Sequence, residues 1–346
     1  KTNFTGKLRY WDGAFDREII SDTWAPDDQL YWYGAPIGGL NFNNNCIDII
    51  ASPASVGAPA TINFEPIGAS LPLTNKTISG AGDSFERASL KYENNEIVID
   101  GRVTASTKIA SIPVPDPGKF TAETLRNYFA SRGIQVGGIE PIRSMPLQAR
   151  DGVTPTMLAP ARTRLTELLP RINKSSQNLL AEGLTKRLGK SWLESQGQRD
   201  APGSWKAGEQ AVRAFLESRM IDPTGLVMLD GSGLSNRDRT TARMICDVMR
   251  TMHQSPFRKT YFESLSIGGV DGTLKDRFAN TDGKIIGKTG YIGGVRSLSV
   301  RAITRSGRTL FVSFIYNRIP VSAGSVADVI EFEQLQDEAV RVLLDQ

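Results

Sequence analysis

The sequence predicts an α+β fold, with helices packed on an antiparallel sheet and a β-rich inserted domain ahead of them. Three observations predict it. Short strand-like stretches separated by turn residues fill the front of the chain, from Gly6 to about Ser111. Helix-period blocks then dominate from Thr163 to Leu188, from Lys206 to Ser218 and from Arg243 to Met252. Finally, the alternating segments Ser297–Ile303 and Leu310–Tyr316 are joined by Ser306-Gly307, a tight turn suited to an antiparallel pair. The expected division is a β-rich inserted part over residues 1–150 and a helix-on-sheet part over 151–346.

In the front part, Gly39–Phe42 and Cys46–Ile50 read as strands on either side of Asn43-Asn44-Asn45, a polar hinge of residues that tolerate left-handed backbone. Ala60–Phe64 and Glu96–Ile99 are further strands, with turns at Gly80–Asp83 and Asn94-Asn95. Pro113 to Gly118 is a stiff connection. Glu123, Leu125, Tyr128 and Phe129 follow at helical spacing and Gly133 stops them, before a strand at Ile134–Val136. Met145 to Pro155 reads as loop, and Pro160 and Arg162 as the approach to a helix. The block from Thr163 to Leu188 is broken around Asn173–Ser175. At the end, Phe332, Leu335, Ala339 and Val342 share one helical face suited to covering a sheet.

With 346 residues, 40% apolar content and 23% charge, the chain can bury a large core. Its net charge of +4 comes without a dense lysine/arginine block, which argues against nucleic acid as a partner. No apolar run reaches membrane-spanning length, and Lys1–Arg9 reads as the middle of a domain, not as a signal peptide. Cys46 and Cys246 lie far apart; a disulfide fits the count, and two buried free thiols are the expectation. The single histidine, His253, falls at a helix end, where imidazole commonly meets unpaired carbonyls. One histidine and two distant cysteines leave little for a His/Cys metal cluster or a Ser-His-Asp triad. Serine chemistry here has to use lysine as its base.

The stretch that points to such chemistry is Ile285-Ile286-Gly287-Lys288-Thr289-Gly290-Tyr291, which runs into the strand at Ser297–Ile303. Gly290 lets another backbone lie close to the strand, and Lys288 is a compact charge able to tune a hydroxyl or orient a carboxylate. Lys174-Ser175-Ser176-Gln177-Asn178 leads into Ala181-Glu182, and Leu229–Ser235 and Gly268–Leu274 lie between the two motifs. With these in order, and with Tyr33-Gly34-Ala35-Pro36 near the front, the chain resembles the class C penicillin-binding proteins, the serine D-alanyl-D-alanine carboxypeptidase/endopeptidase family.

That family works through Ser-x-x-Lys, Ser-x-Asn and Lys-Thr-Gly elements. Lys288, Thr289 and Gly290 match the third, and Ser176 and Asn178 match the second. The resemblance implies catalytic roles for Ser176, Asn178 and Lys288, and substrate binding at Thr289 and Gly290. A competing reading makes Ser175 or Ser176 a helix N-cap. Ser235 is a lesser candidate, because Arg237 stands two positions after it in place of asparagine. Asp271–Leu274 reads either as a loop over the site or as a capped turn, Arg296 either as a partner for a substrate carboxylate or, the preferred reading, as a solvated strand arginine, and Glu182 as a support for Asn178.

No lysine has a serine three positions before it, so the Ser-x-x-Lys element is missing from these residues. Two expectations compete: the later part of a longer enzyme, its penicillin-binding DD-peptidase domain lacking the N-terminal part, or a relative that cannot acylate. The first is preferred, because Lys1 begins inside a recognisable segment. The implied activity is hydrolysis of peptidoglycan stem peptides through an acyl-enzyme that β-lactams also form. It needs no metal or organic cofactor and takes place in the periplasm or elsewhere outside the cytoplasm. The rival is a peptidoglycan-binding or scaffold protein without a nucleophile.

Overall fold

The computed structural model describes residues 2–80, 88–93, 96–143, 156–317 and 326–345. The chain forms two compact units, Lys1–Gln148 and Ala149–Gln346.

The first unit is built from short strands. In order they are β1 (Thr2–Phe4), β2 (Leu8–Tyr10), β3 (Cys46–Ser52), β4 (Thr61–Glu65), β5 (Thr74–Ser79), β6 (Ser89–Glu93), β7 (Glu96–Val103) and β8 (Thr107–Pro113). Helix α1 (Pro117–Ser131) and strands β9 (Ile134–Val136) and β10 (Ile139–Pro141) follow. One antiparallel sheet runs β4-β3-β8, a second runs β5-β7-β6 with β5 and β7 parallel, and β1–β9 and β2–β10 are small parallel pairs. Helix α1 starts earlier than its spacing suggests, since Pro117 and Gly118, expected in a stiff connection, form its first turn. Pro117 supplies a pre-set φ, and the Asp116 carboxylate accepts from the Lys119 amide at 2.8 Å. Its Phe120 packs with Ile47 and Val114 in one of the unit's apolar clusters.

Gly39–Phe42 is not a strand. Asn43, Asn44 and Asn45 all take left-handed φ, +49° to +54°, and the Asn45 amide donates to Pro36 O at 2.7 Å and Asn41 Oδ1 at 2.6 Å. Side chains here satisfy backbone that a ladder would otherwise have paired. The expected turns at residues 81–83 and Asn94-Asn95, like the loop at 145–155, lie outside the described residues.

The second unit carries helices α2 (Leu165–Lys174), α3 (Asn178–Ser195), α4 (Trp205–Ser218), α5 (Ala242–Gln254) and α6 (Arg258–Ser264). Its sheet joins β11 (Ser266–Ile267), β12 (Ile285–Ile292), β13 (Val295–Ile303) and β14 (Thr309–Asn317) in chain order, all antiparallel, and α7 (Val326–Leu344) closes the chain. One sheet face is apolar: Ile285, Leu298, Val300 and Ala302 pack with Leu274, Phe278 and Val340 of α7. Residues 156–164, expected to lead a helix from Thr163, are irregular, and α2 starts at Leu165. The buried face of α7 differs from the expected one. Gln336 and Val340 are buried, whereas Leu335 and Val342 are exposed. Arg277 sets this rotation by donating to Asp337 and to Gln336 Oε1 at 3.1 Å, contacts that only the tertiary fold creates. Both cysteines are free thiols.

Candidate active site

Alternation along β12 sends Ile285, Gly287 and Thr289 one way and Ile286, Lys288 and Gly290 the other. Opposite Lys288 and Gly290 stand Ser299 and Ser297 of β13, so small side chains line this side of the strand. A Cβ at position 290 would come within 2.3 Å of Ser297 Oγ, so that hydroxyl would have to rotate away.

Lys288 therefore reaches across a smooth surface. Its Nζ donates to Ser176 Oγ at 2.8 Å and to Thr289 O at 2.8 Å. Burial disfavours the ammonium and brings the pKa down to about 8. Among the described residues its acceptors, Ser176 Oγ and Thr289 O, are neutral.

Ser176 sits in the break between α2 and α3 with φ of +52°. A left-handed φ at a residue with a Cβ costs on the order of 1 kcal/mol and persists where surroundings impose it. Those surroundings are visible. The Asn173 amide donates to Ser264 Oγ at 2.8 Å, and Lys174 pairs with Asp271, whose other oxygen accepts from the Ile267 amide at 2.8 Å. The end of α2 is thus tied to α6 and to the loop after β11. Neither serine caps α3; its N-cap is Gln177, without a side-chain cap bond. Asp271 occupies the N-cap position of a short 3-10 turn, Gly272–Leu274, but makes no side-chain cap bond, its carboxylate being committed to Lys174 and Ile267. Thr289 Oγ1 donates to Thr273 Oγ1 at 2.8 Å, and the Thr273 amide to Ser266 Oγ at 3.1 Å, joining that loop to β12.

Asn178 is the first residue of α3, and one turn later Glu182 is fully buried. The Glu182 carboxylate accepts from Trp205 Nε1 at 2.6 Å, the Gly231 amide at 2.7 Å and the Ser232 amide at 2.9 Å. It holds the Leu229–Ser235 loop on α3, and a Cβ at Gly231 would collide with Thr185 Oγ1 at 2.3 Å. Burial and the neighbouring Asp230 push Glu182 up to about 7; the same two causes push Asp238 up to about 7. Ser235 is buried, its amide bonded to Asp230 at 2.7 Å, which makes it part of this loop's scaffold.

Two other expectations are corrected. Arg296 is 7% exposed, stacks 3.5 Å from the Tyr291 ring centroid, and donates to Ile292 O and Val295 O across the hairpin end. His253 meets rings instead of carbonyls: Phe262 and Phe311 lie edge-on to it at 5.8 and 5.5 Å. Among the described residues no three His, Cys, Asp or Glu side chains are grouped to hold a metal ion. None of their helices is long and apolar enough to cross a membrane.

The structure brings Ser176, Lys288 and Thr289 into one hydrogen-bonded neighbourhood with Gly290 beside it, and places Asn178 at the start of the adjoining helix. Lys174 and Thr273 join them without a role read from sequence. The only signal for Lys174 was its position two residues before Ser176. Chemically, the arrangement holds a hydroxyl against an amine that titrates near neutrality, next to a strand edge able to receive an extended peptide.

Residues 1–331 match the family model described as the D-Ala-D-Ala carboxypeptidase 3 (S13) family. The chain is 29% identical over 311 residues to a D-alanyl-D-alanine carboxypeptidase of an Actinomadura species, covering 85% of this chain and 56% of that protein. It is 24% identical over 307 residues to D-alanyl-D-alanine carboxypeptidase DacB of Haemophilus influenzae, covering 84% and 61%. The crystal structure of penicillin-binding protein 4 (dacB) from Haemophilus influenzae superposes with a TM-score of 0.70 at 20% identity, over 99% of this chain and 76% of that one. The chain thus spans about half the length of the curated relatives it matches.

Proposed function

Since the chain belongs to the D-Ala-D-Ala carboxypeptidase 3 (S13) family, we propose that it forms part of a serine-type D-Ala-D-Ala carboxypeptidase/endopeptidase. Its substrates are peptidoglycan stem peptides, it is acylated by β-lactams, and it works outside the cytoplasmic membrane. Residues 151–346 supply the peptidase part and residues 1–150 the inserted β-rich part. The observation that carries this reading is the 2.8 Å hydrogen bond from Lys288 to Ser176.

The stem peptide lies along Lys288–Gly290 as an added strand. The attacking serine is one outside these 346 residues, which hold no Ser-x-x-Lys. Its oxygen bonds to the penultimate D-Ala carbonyl carbon, its proton passes to the lysine of its own Ser-x-x-Lys element, and the bond to the terminal D-Ala nitrogen breaks. The departing amine takes the Ser176 hydroxyl proton, and Lys288 replaces that proton. Asn178 holds the peptide backbone, and Thr289 and Gly290 border the terminal carboxylate. Water then releases the acyl group. The same attack on a β-lactam opens its ring and leaves a stable ester.

The absence of Ser-x-x-Lys from these residues favours a second reading, a peptidoglycan-binding relative that keeps the groove without the nucleophile. Intact mass of the full gene product after exposure to a labelled penicillin decides between them. One covalent adduct, formed far more slowly in Ser176→Ala, is expected. Reversible binding without an adduct sinks the enzyme reading.

A further inference from the structure

Two residues before Lys288, β12 presents Ile286 on the same sheet face, opposite Arg301 of β13. There, between α6 and the β11–β12 edge, lies a cleft of about 490 Å3. Its apolar lining is Phe262, Ile267 and Ile286. Its charged lining is unbalanced. Lys259 and Glu263 face each other at 3.9 Å and offset one another, which leaves Arg258 and Arg301.

Neither guanidinium has an ion-pair partner among the described residues. Arg301 lies over the Phe262 ring, 4.7 Å from its centroid, and its Nε is buried without an acceptor. A buried donor left unpaired is costly, and a second cation beside it adds to that cost. Arg258 is that second cation: burial first, and then the charge of Arg258, works against the protonated form of Arg301, and burial first, and then both arginines, works against protonation of His253, whose Nδ1 is also buried and unpartnered. Two like charges facing one cavity are relieved by an anion bound between them. Guanidinium forks match a planar carboxylate, and the apolar floor asks for an aliphatic body, which an inorganic anion lacks.

We propose that this cleft binds a carboxylate carried on an aliphatic body, with the carboxylate bridging Arg258 and Arg301 and the body resting on Phe262, Ile267 and Ile286. The site is separate from the Lys288–Ser176 pair and does not depend on the peptidase reading. A free carboxylic acid or the acidic side chain of a polypeptide has the required chemistry.

Calorimetric titration of the full gene product with hexanoate tests the proposal, with hexylamine and inorganic phosphate as controls. Saturable hexanoate binding is expected, weakened at least about tenfold in both Arg301→Gln and Arg258→Gln, with no binding of hexylamine and weaker binding of phosphate. Arg258 is exposed, so its replacement tests the site even if the Arg301 variant fails to fold. A capped tripeptide with a central glutamate, titrated in parallel, separates the sources: tighter peptide binding assigns a polypeptide side chain, and tighter hexanoate binding a free acid. No saturation by either carboxylate, binding unchanged in Arg258→Gln, or phosphate binding as tightly as hexanoate overturns the proposal.

Discussion

Two lysines of the same unit, one fully buried and one partly so, lie in different company. Lys186, fully buried on α3, places its Nζ 3.7 Å from the Trp205 ring centroid, one turn after the Glu182 carboxylate. Among the described residues, Lys288 on β12 donates to a hydroxyl and a backbone carbonyl. A cation held over the ring of Trp205, whose Nε1 donates to Glu182, belongs to a scaffold, here the one that fixes the Leu229–Ser235 loop. A cation desolvated among neutral acceptors is held ready to titrate, an arrangement that costs stability and serves chemistry.

The contrast is broken or sharpened most strongly at Lys288 itself. Lys288→Met in the full gene product is expected to slow penicillin acylation by about 10³-fold. The same change should leave the melting temperature unchanged or raise it, because the desolvated ammonium is removed. A large loss of stability instead would place Lys288 in the scaffold class. Glu182→Ala is the opposite test. It leaves three donors without their shared acceptor, and urea unfolding should show a loss of about 3 kcal/mol.

The pH dependence separates the two regions next. Lys288 carries its proton below about 8, so acylation should fall as pH rises through that value if its donation to Ser176 is required. A rate that climbs through the same range would make the neutral amine the working form. For stability the signs are opposed. Glu182 and Asp238 titrate higher folded, at about 7, than their ordinary 4.5 and 3.8, so stability declines as pH rises from about 4 to 7. Lys288 titrates lower folded, about 8 against 10.5, so stability recovers between those values and is lost again as pH falls through 8. A shallow minimum in melting temperature near pH 7–8 is expected, with Lys288→Met flattening its alkaline side. The smallest effect is Asp271→Asn. It keeps the acceptor for the Ile267 amide but weakens the hold on Lys174, and acylation should drop by about threefold with little change in melting temperature.

Legibility followed the range of the forces involved. The body of helix α1, strand β13 and the β13–β14 hairpin were readable because helical spacing, alternation and a Ser-Gly turn act within a few residues. Helix α6, at seven residues, is too short for a periodic signal and was missed. Arg296 read as solvated because nothing local shows that Tyr291 will cover it. At the candidate site the Lys-Thr-Gly and Ser-x-Asn patterns were visible, whereas the Lys174–Asp271 pair was not, since its partners are 97 positions apart.

By itself the sequence determined where helices and strands form and which side chains could take part in acyl transfer, because periodicity, capping and residue chemistry are local properties. Only the tertiary structure decided that Lys288 meets Ser176 across 112 positions, that burial lowers the pKa of its amine, and that α7 turns Gln336 inward in place of Leu335. Those outcomes depend on how distant surfaces pack and exclude solvent, which no neighbouring residue specifies.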